Sequence, residues 1–263
     1  LQDKGDTETN EVSENNTSNK TLDIDKPPEN TDPIDDDTQD DKEIQIKQNL
    51  DFNFVVYNED IVITGAKGSG KSYLANTILQ ILHGCSVWVW DFNHQFHDSR
   101  SIVFHDLDEM LETYDEVGKR GKYILQDYNK EEKQFKRFCR AAFKRGNVVL
   151  LIDEVHSYTT KQKILKEYND LILSGRPRGI SVISISTRPA SLPNNVLTNA
   201  KHVFTFRLNL ESDVKWLEGY LGDEVWQVLN KNKRQKHLDL PEVPPYTFYY
   251  RNMDEPQGAL GKV

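Results

Sequence analysis

Eight consecutive residues have the types and spacing that phosphate chemistry asks for: Gly65-Ala66-Lys67-Gly68-Ser69-Gly70-Lys71-Ser72. They match the Walker A pattern, Gly-x-x-x-x-Gly-Lys-Ser. Glycines let successive backbone N–H groups converge on phosphate oxygens, and a helix starting at such a loop adds the partial positive charge of its amino end. The backbone from Gly65 to Tyr73 is therefore the expected ATP cradle. Lys71 can reach the β- and γ-phosphates, and the Ser72 hydroxyl can ligate Mg²⁺. A second set, Asp153-Glu154, supplies the carboxylates that a phosphate loop lacks. Asp153 suits the metal shell, and Glu154 can orient or polarise an attacking water. This doublet favours hydrolysis over transfer to a bound acceptor. A guanine-reading Asn-Lys-x-Asp run is missing, since Asn230-Lys231-Asn232-Lys233 lacks its aspartate.

These groups need elements that hold them. Ile61, Val62 and Ile63 read as a buried strand running into the glycine loop, and Leu74, Ile78, Ile81 and Leu82 lie at helical spacing after it, closed by Gly84. Val148–Ile152 is a continuous apolar run, so Asp153 falls at the carboxyl end of a strand neighbouring the loop. Further strands are expected at Phe52–Tyr57, Ser86–Trp90, Ile102–Phe104, Lys122–Leu125, Ile180–Ile185 and Val203–Arg207. Helices are expected at Leu107–Val117, Glu131–Arg145, Gln162–Leu173 and Asp213–Tyr220, with Pro241–Tyr250 extended. Strands alternating with helices predict an α/β fold, three layers around a mainly parallel central sheet. Trp88 and Trp90 read as core, and His94, His105 and His156 as surface or packing residues. Asp91, at a strand end, either organises the loop lysine or a water, or caps its own turn with Asn93.

Composition divides the chain. Residues 1–50 hold 15 Asp and Glu against 5 Lys, while the whole chain of 263 residues carries a net charge of −9, so the remainder is near neutral. Residues 1–48 are also poor in apolar side chains and contain Pro27, Pro28 and Pro33. Such a segment cannot bury enough surface to offset its ordering entropy, and it reads as a disordered acidic tail before a domain spanning 49–263. The tail either solvates the protein or acts as a DNA-mimicking or partner-binding arm around Asp32–Asp41. Two cysteines, Cys85 and Cys139, show no metal-ligand spacing and read as buried thiols of a reducing compartment. No apolar run approaches the roughly 18 residues of a membrane span, and no secretory leader is visible. A cytoplasmic location is the expectation, although the chain begins with Leu1 rather than Met.

A third block narrows the family: Gly175-Arg176-Pro177-Arg178-Gly179-Ile180, then a strand, then Ser186-Thr187-Arg188-Pro189. Over about residues 55–250 the chain resembles the FtsK–HerA superfamily of DNA-pumping P-loop ATPases, which share the RecA-like architecture. Gly175-Arg176 and Gly179-Ile180 match that family's glycine-arginine turn and Gly-Ile strand. Asp213-Val214-Lys215-Trp216-Leu217 resembles a helix of its phage and archaeal-virus packaging branch. The resemblance implies a Mg²⁺-dependent ATPase acting as a homo-oligomeric ring, a hexamer, on double-stranded DNA, with a capsid or other protein as a further partner. It implies an arginine given to the neighbouring subunit's site, Arg176 or Arg178, with Arg176 on the family's pair. It also places Thr187 where relatives carry a sensor glutamine; threonine keeps a hydrogen-bonding group there with shorter reach. Arg188 would anchor the strand end. Candidate DNA-facing loops are Tyr128-Asn129-Lys130, Ser157–Lys163 (with Lys161 and Lys163) and Lys231–Lys236. Two rival readings are an ATP-dependent assembly switch docking a protein partner and a small-molecule phosphotransferase.

Overall fold

The computed structural model describes residues 46–47, 58–117, 120–124, 126, 131–228 and 244–263. The acidic residues 1–45, the expected strand Phe52–Tyr57 and the basic segments Tyr128–Lys130 and Lys231–Lys236 lie outside the described residues. The strands are β1 (Ile46–Lys47), β2 (Asp60–Thr64), β3 (Ser86–Asp91), β4 (Ile102–Phe104), β5 (Arg120–Ile124), β6 (Val148–Ile152), β7 (Ile180–Ser186), β8 (Ala200–Phe206), β9 (Thr247–Asn252) and β10 (Ala259–Lys262). The helices are α1 (Lys71–Ile81), α2 (Leu107–Val117), α3 (Glu131–Arg145), α4 (Lys166–Ser174), α5 (Asn194–Thr198) and α6 (Glu211–Leu221).

All strands join one sheet in the order β1-β10-β9-β8-β2-β7-β6-β3-β5-β4. From β8 to β4 every pairing is parallel, and β9 and β10 add an antiparallel edge. The mainly parallel α/β sheet expected from the alternating elements is therefore present. One adjacency differs. β6, which ends at the Asp153-Glu154 pair, is not the hydrogen-bonded neighbour of β2; β7 lies between them. Two apolar strands of similar character cannot reveal from sequence which is central. Within the stretch expected to be structureless, Ile46–Lys47 pairs in parallel with Leu260–Gly261 on β10.

Alternation along the strands builds two apolar layers. Ile61, Ile63, Val87, Val89, Val149, Leu151, Ile183 and Ile185 face one side, where α1 supplies Leu74, Ala75, Ile78 and Leu79. Val62, Trp88, Trp90, Val148, Leu150 and Ile152 face the other, under α2, α3, α4 and α6. Trp90 is fully buried, its indole N–H donating to the Tyr158 hydroxyl at 2.9 Å with Phe135 and Phe138 edge-on. Both cysteines are buried and free, as read from their isolation in sequence.

Element ends depart from the periodicity in places. α4 starts at Lys166 rather than Gln162, because Thr159 Oγ1 accepts the Leu165 N–H and Thr160 closes a turn on Lys163. Such side-chain bonds offer the backbone an alternative to helix. β5 starts two residues earlier than Lys122, since Arg120 is buried against Asp98 and the carbonyls of Leu79 in α1 and Leu82 just after it. The short α5 and the hairpin strand β10 carry too few apolar residues for a periodic signal.

Candidate active site

The phosphate loop is tied to both flanking strands. Gly65 N–H donates to the Ser186 carbonyl of β7 at 3.3 Å, and Ala66 N–H to the Arg207 carbonyl after β8 at 2.7 Å. Two glycines are demanded by space as well as by backbone. At Gly65 (φ 153°) a Cβ would stand 2.6 Å from Phe206 Cβ, and at Gly70 (φ 114°) 2.9 Å from the Phe206 ring. Gly70 then opens α1 with no side-chain cap. Its first N–H groups are left for an anion, as the sequence pattern requires.

A cavity of about 510 Å³ is lined by Lys67, Gly68, Ser69, Gly70, Lys71, Ser72, Tyr73, Asn93, Gln95, Asp153, Glu154, Thr187 and Tyr246. It joins residues far apart in the chain: the lysine loop, the Asp153-Glu154 pair, and the Thr187 strand end. Gly65 and Ala66 form the base of the loop rather than the cavity wall. A cavity of about 610 Å³ at the amino ends of the strands is lined by Cys85, Ser86, Asn147 and Gly179 among others, and no carboxylate lines it.

Lys71 is buried, and its Nζ donates to the Ala66 carbonyl at 2.9 Å. Burial pushes its ammonium below the usual lysine range, and the Glu154 and Asp153 carboxylates pull it back. Asp153 is 3% exposed. One of its oxygens accepts from the Asn93 side chain at 3.0 Å and the Asn93 N–H at 3.3 Å; the other accepts from the Glu154 N–H at 3.0 Å. Burial, then the Glu154 charge, raises this carboxyl to about 6. A buried acid displaced in that direction gains most from a nearby cation. Ser72 Oγ, which donates to Gln95 Oε1 at 2.6 Å, lines the same cavity. Two hard oxygen donors fit Mg²⁺, which keeps waters and phosphate oxygens as its other ligands. Among the described residues no cluster of three or more His, Cys, Asp or Glu forms a metal cage.

Glu154 sits in the left-handed region (φ 45°), which turns its side chain out of the β6 line. Thr187 Oγ1 donates to Glu154 Oε2 at 3.1 Å, and His156 Nδ1 lies 3.2 Å from the same oxygen. His156 Nδ1 is also 3.2 Å from Ser186 Oγ, so this half-buried histidine, expected as a surface or packing residue, packs against Glu154 and Ser186 without lining the cavity. A lone histidine beside two acids has no spacing signature; the 3₁₀ turn Val155–Ser157 folds it back on Glu154, and β7 adds the Ser186 contact. Asn93 and Gln95 were likewise not readable as site residues.

Asp91 resolves in favour of turn capping. Its carboxylate accepts from the Gln95 and Phe96 N–H groups at 2.9 and 3.2 Å and lies 3.5 Å from Lys122 Nζ. Arg188 anchors the β7 end, with Nε 3.5 Å from Asp213. Arg176 and Arg178 occupy a 3₁₀ turn at the amino end of β7, the opposite end of the sheet from Lys71. Both are exposed, and Arg178 stacks over Phe143 at 4.4 Å. Lys161 stacks over Trp216 at 4.3 Å and Lys163 pairs with Glu132, so two of the candidate DNA contacts are engaged within the chain.

Several solved structures share this arrangement of elements. The genome packaging NTPase B204 from Sulfolobus turreted icosahedral virus 2, in complex with sulfate, aligns over 78% of this chain and 96% of its own at 21% identity and a TM-score of 0.58. The same protein with ATP-gammaS gives 78%, 97%, 20% and 0.59. B204, the DNA-packaging ATPase from Sulfolobus turreted icosahedral virus, gives 79%, 98%, 23% and 0.54. At these identities the likeness is one of fold. No curated protein matches the sequence. A family model described as "AAA domain" matches residues 58–190, just over half of the chain, from the approach to β2 to the residues following Thr187. On that match, and with the lysine loop and its carboxylates inside the matched span, the chain belongs to the AAA-domain family of P-loop ATPases.

Proposed function

We propose that the protein hydrolyses ATP with Mg²⁺ and uses the hydrolysis to move double-stranded DNA, as a homo-oligomeric ring serving genome packaging by a virus or mobile element. The observation that carries the hydrolytic part is the convergence of Lys71, Ser72, Asp153, Glu154 and Thr187 on one cavity. An entering triphosphate draws the Lys71 ammonium from the Ala66 carbonyl onto its outer phosphate oxygens. Glu154, with one oxygen fixed by Thr187, accepts a proton-bearing contact from water and aligns it for attack, giving ADP and phosphate. Mg²⁺, held through Ser72 and Asp153, supplies neutralisation of phosphate charge when bound.

DNA as the cargo is supported by the Gly175–Pro189 block and by the fold shared with the viral packaging proteins. A ring is supported by the place of Arg176 and Arg178, which cannot serve their own subunit's cavity from the far end of β7. Among the described residues no helix is long and apolar enough to cross a membrane, which suits a motor working in the cytoplasm of a host. The engagement of Lys161 and Lys163 favours a second reading, an ATP-driven module that docks a capsid or pore protein.

The two are separated by phosphate release measured with and without duplex DNA, with Lys71→Ala as the inactive control. The motor reading expects several-fold stimulation by duplex DNA. Turnover that ignores DNA and rises with a protein partner supports the docking module instead.

A further inference from the structure

Among the described Phe, Tyr and Trp side chains two are exposed, Tyr73 (65%) and Tyr246 (55%), and both line the cavity that holds Lys71 and Asp153. Neither ring has a hydrogen bond or a ring contact among the described residues. Aromatic rings at the wall of a polar cavity offer flat apolar faces on which a planar ligand can stack.

The backbone of Tyr246 points the same way. Its φ is 62°, a left-handed conformation that suits glycine or asparagine and strains a bulky side chain. Such outliers persist where surrounding structure holds them, and they cluster at ligand sites. Here the turn before β9 is closed by the Thr247 N–H on the Pro244 carbonyl, and the Tyr246 carbonyl accepts the Val263 N–H, both at 3.3 Å. Val263 in turn packs against the phosphate loop, its Cγ2 3.1 Å from where a Gly70 Cβ would be. The Tyr246 backbone is thus fixed relative to the residues of the phosphate loop. β9 runs antiparallel to β8, so its first residues necessarily reach the phosphate-loop end of the sheet.

We infer that Tyr246 is a base-binding residue: the planar base of a nucleotide stacks on its ring, with Tyr73 as a second wall, while Lys71 and the loop hold the phosphates. The inference rests on the nucleotide-binding reading of the cavity. At about 510 Å³ the cavity has room for a whole small-molecule ligand, in the range of roughly 300–1,000 Å³ usual for such sites. Stacking accepts any planar base because every base has a π-face, so this subsite reads the presence of a base and not its edge.

The test is calorimetric titration of the full chain, with magnesium, by ADP and by inorganic tripolyphosphate. Tyr246→Gly removes the ring at a backbone position that glycine occupies without strain, so folding is expected to survive; Tyr246→Phe keeps the ring. The expected result is about a tenfold loss of ADP affinity in Tyr246→Gly, no loss in Tyr246→Phe, and unchanged tripolyphosphate affinity in both. Equal losses of ADP and tripolyphosphate, or no loss of either, would overturn the inference. Lys71→Ala is expected to lose both ligands. If Lys71→Ala binds both as the parent chain does, the nucleotide reading of the cavity fails rather than the role of Tyr246.

Discussion

Thr187 and Glu154 are joined by one hydrogen bond at the cavity. The 3.1 Å contact fixes a carboxylate whose backbone already sits in a left-handed turn. Thr187→Val removes the donor while keeping the shape. It is expected to lower kcat about tenfold with ADP affinity unchanged, the signature of a group that acts through Glu154. Steady-state turnover beside equilibrium binding checks this. Asp60 gives a stability prediction. Its largely buried carboxyl accepts the Val182 N–H at 2.8 Å, and burial raises it from 3.8 to about 7. The folded chain therefore holds this proton more tightly than the unfolded one. The resulting stabilisation is complete below about pH 4 and is lost as pH rises through about 7. Asp60→Asn keeps the acceptor without the charge. Its stability gain should be on the order of 2 kcal/mol at pH 8 and fade towards pH 4, measured by urea unfolding at both.

At the scale of elements, the loop, α1 and the strand bearing Asp153 were legible because each is a local pattern. Glycine spacing, an apolar run and a 3.6-residue period need no partner to be read. What was not legible depends on which strands meet. The insertion of β7 between β2 and β6 places Thr187 against Glu154 and Ser186 against His156. Asn93 reaches Asp153 from the turn after β3 because β3 pairs with the other edge of β6. Packing across elements also explains the glycine demand. Gly65→Ala puts a methyl 2.6 Å from Phe206 Cβ on β8 at a φ of 153°. The combined strain and overpacking should cost on the order of 3 kcal/mol, seen in urea unfolding, and should abolish nucleotide binding.

The whole molecule poses the question of the far-end arginines. Arg176 is exposed at the amino end of β7 and Arg178 is stacked on Phe143, while the lysine loop opens at the carboxyl edge. If rings bring Arg176 of one subunit to the cavity of the next, Arg176→Ala slows hydrolysis on the order of 10³-fold without weakening ADP binding. Mixing Arg176→Ala subunits with Lys71→Ala subunits then restores part of the activity, because some interfaces pair an intact lysine loop with an intact arginine. A mixture as inactive as its parts would remove the shared site.

Everything rests on the lysine loop and the Asp153-Glu154 pair serving one nucleotide together. The direct measurement is ATP binding and ATP turnover in Glu154→Gln, side by side with the parent chain. The account predicts binding within about threefold of the parent chain and hydrolysis reduced at least about 100-fold. Hydrolysis at the parental rate in Glu154→Gln would contradict it.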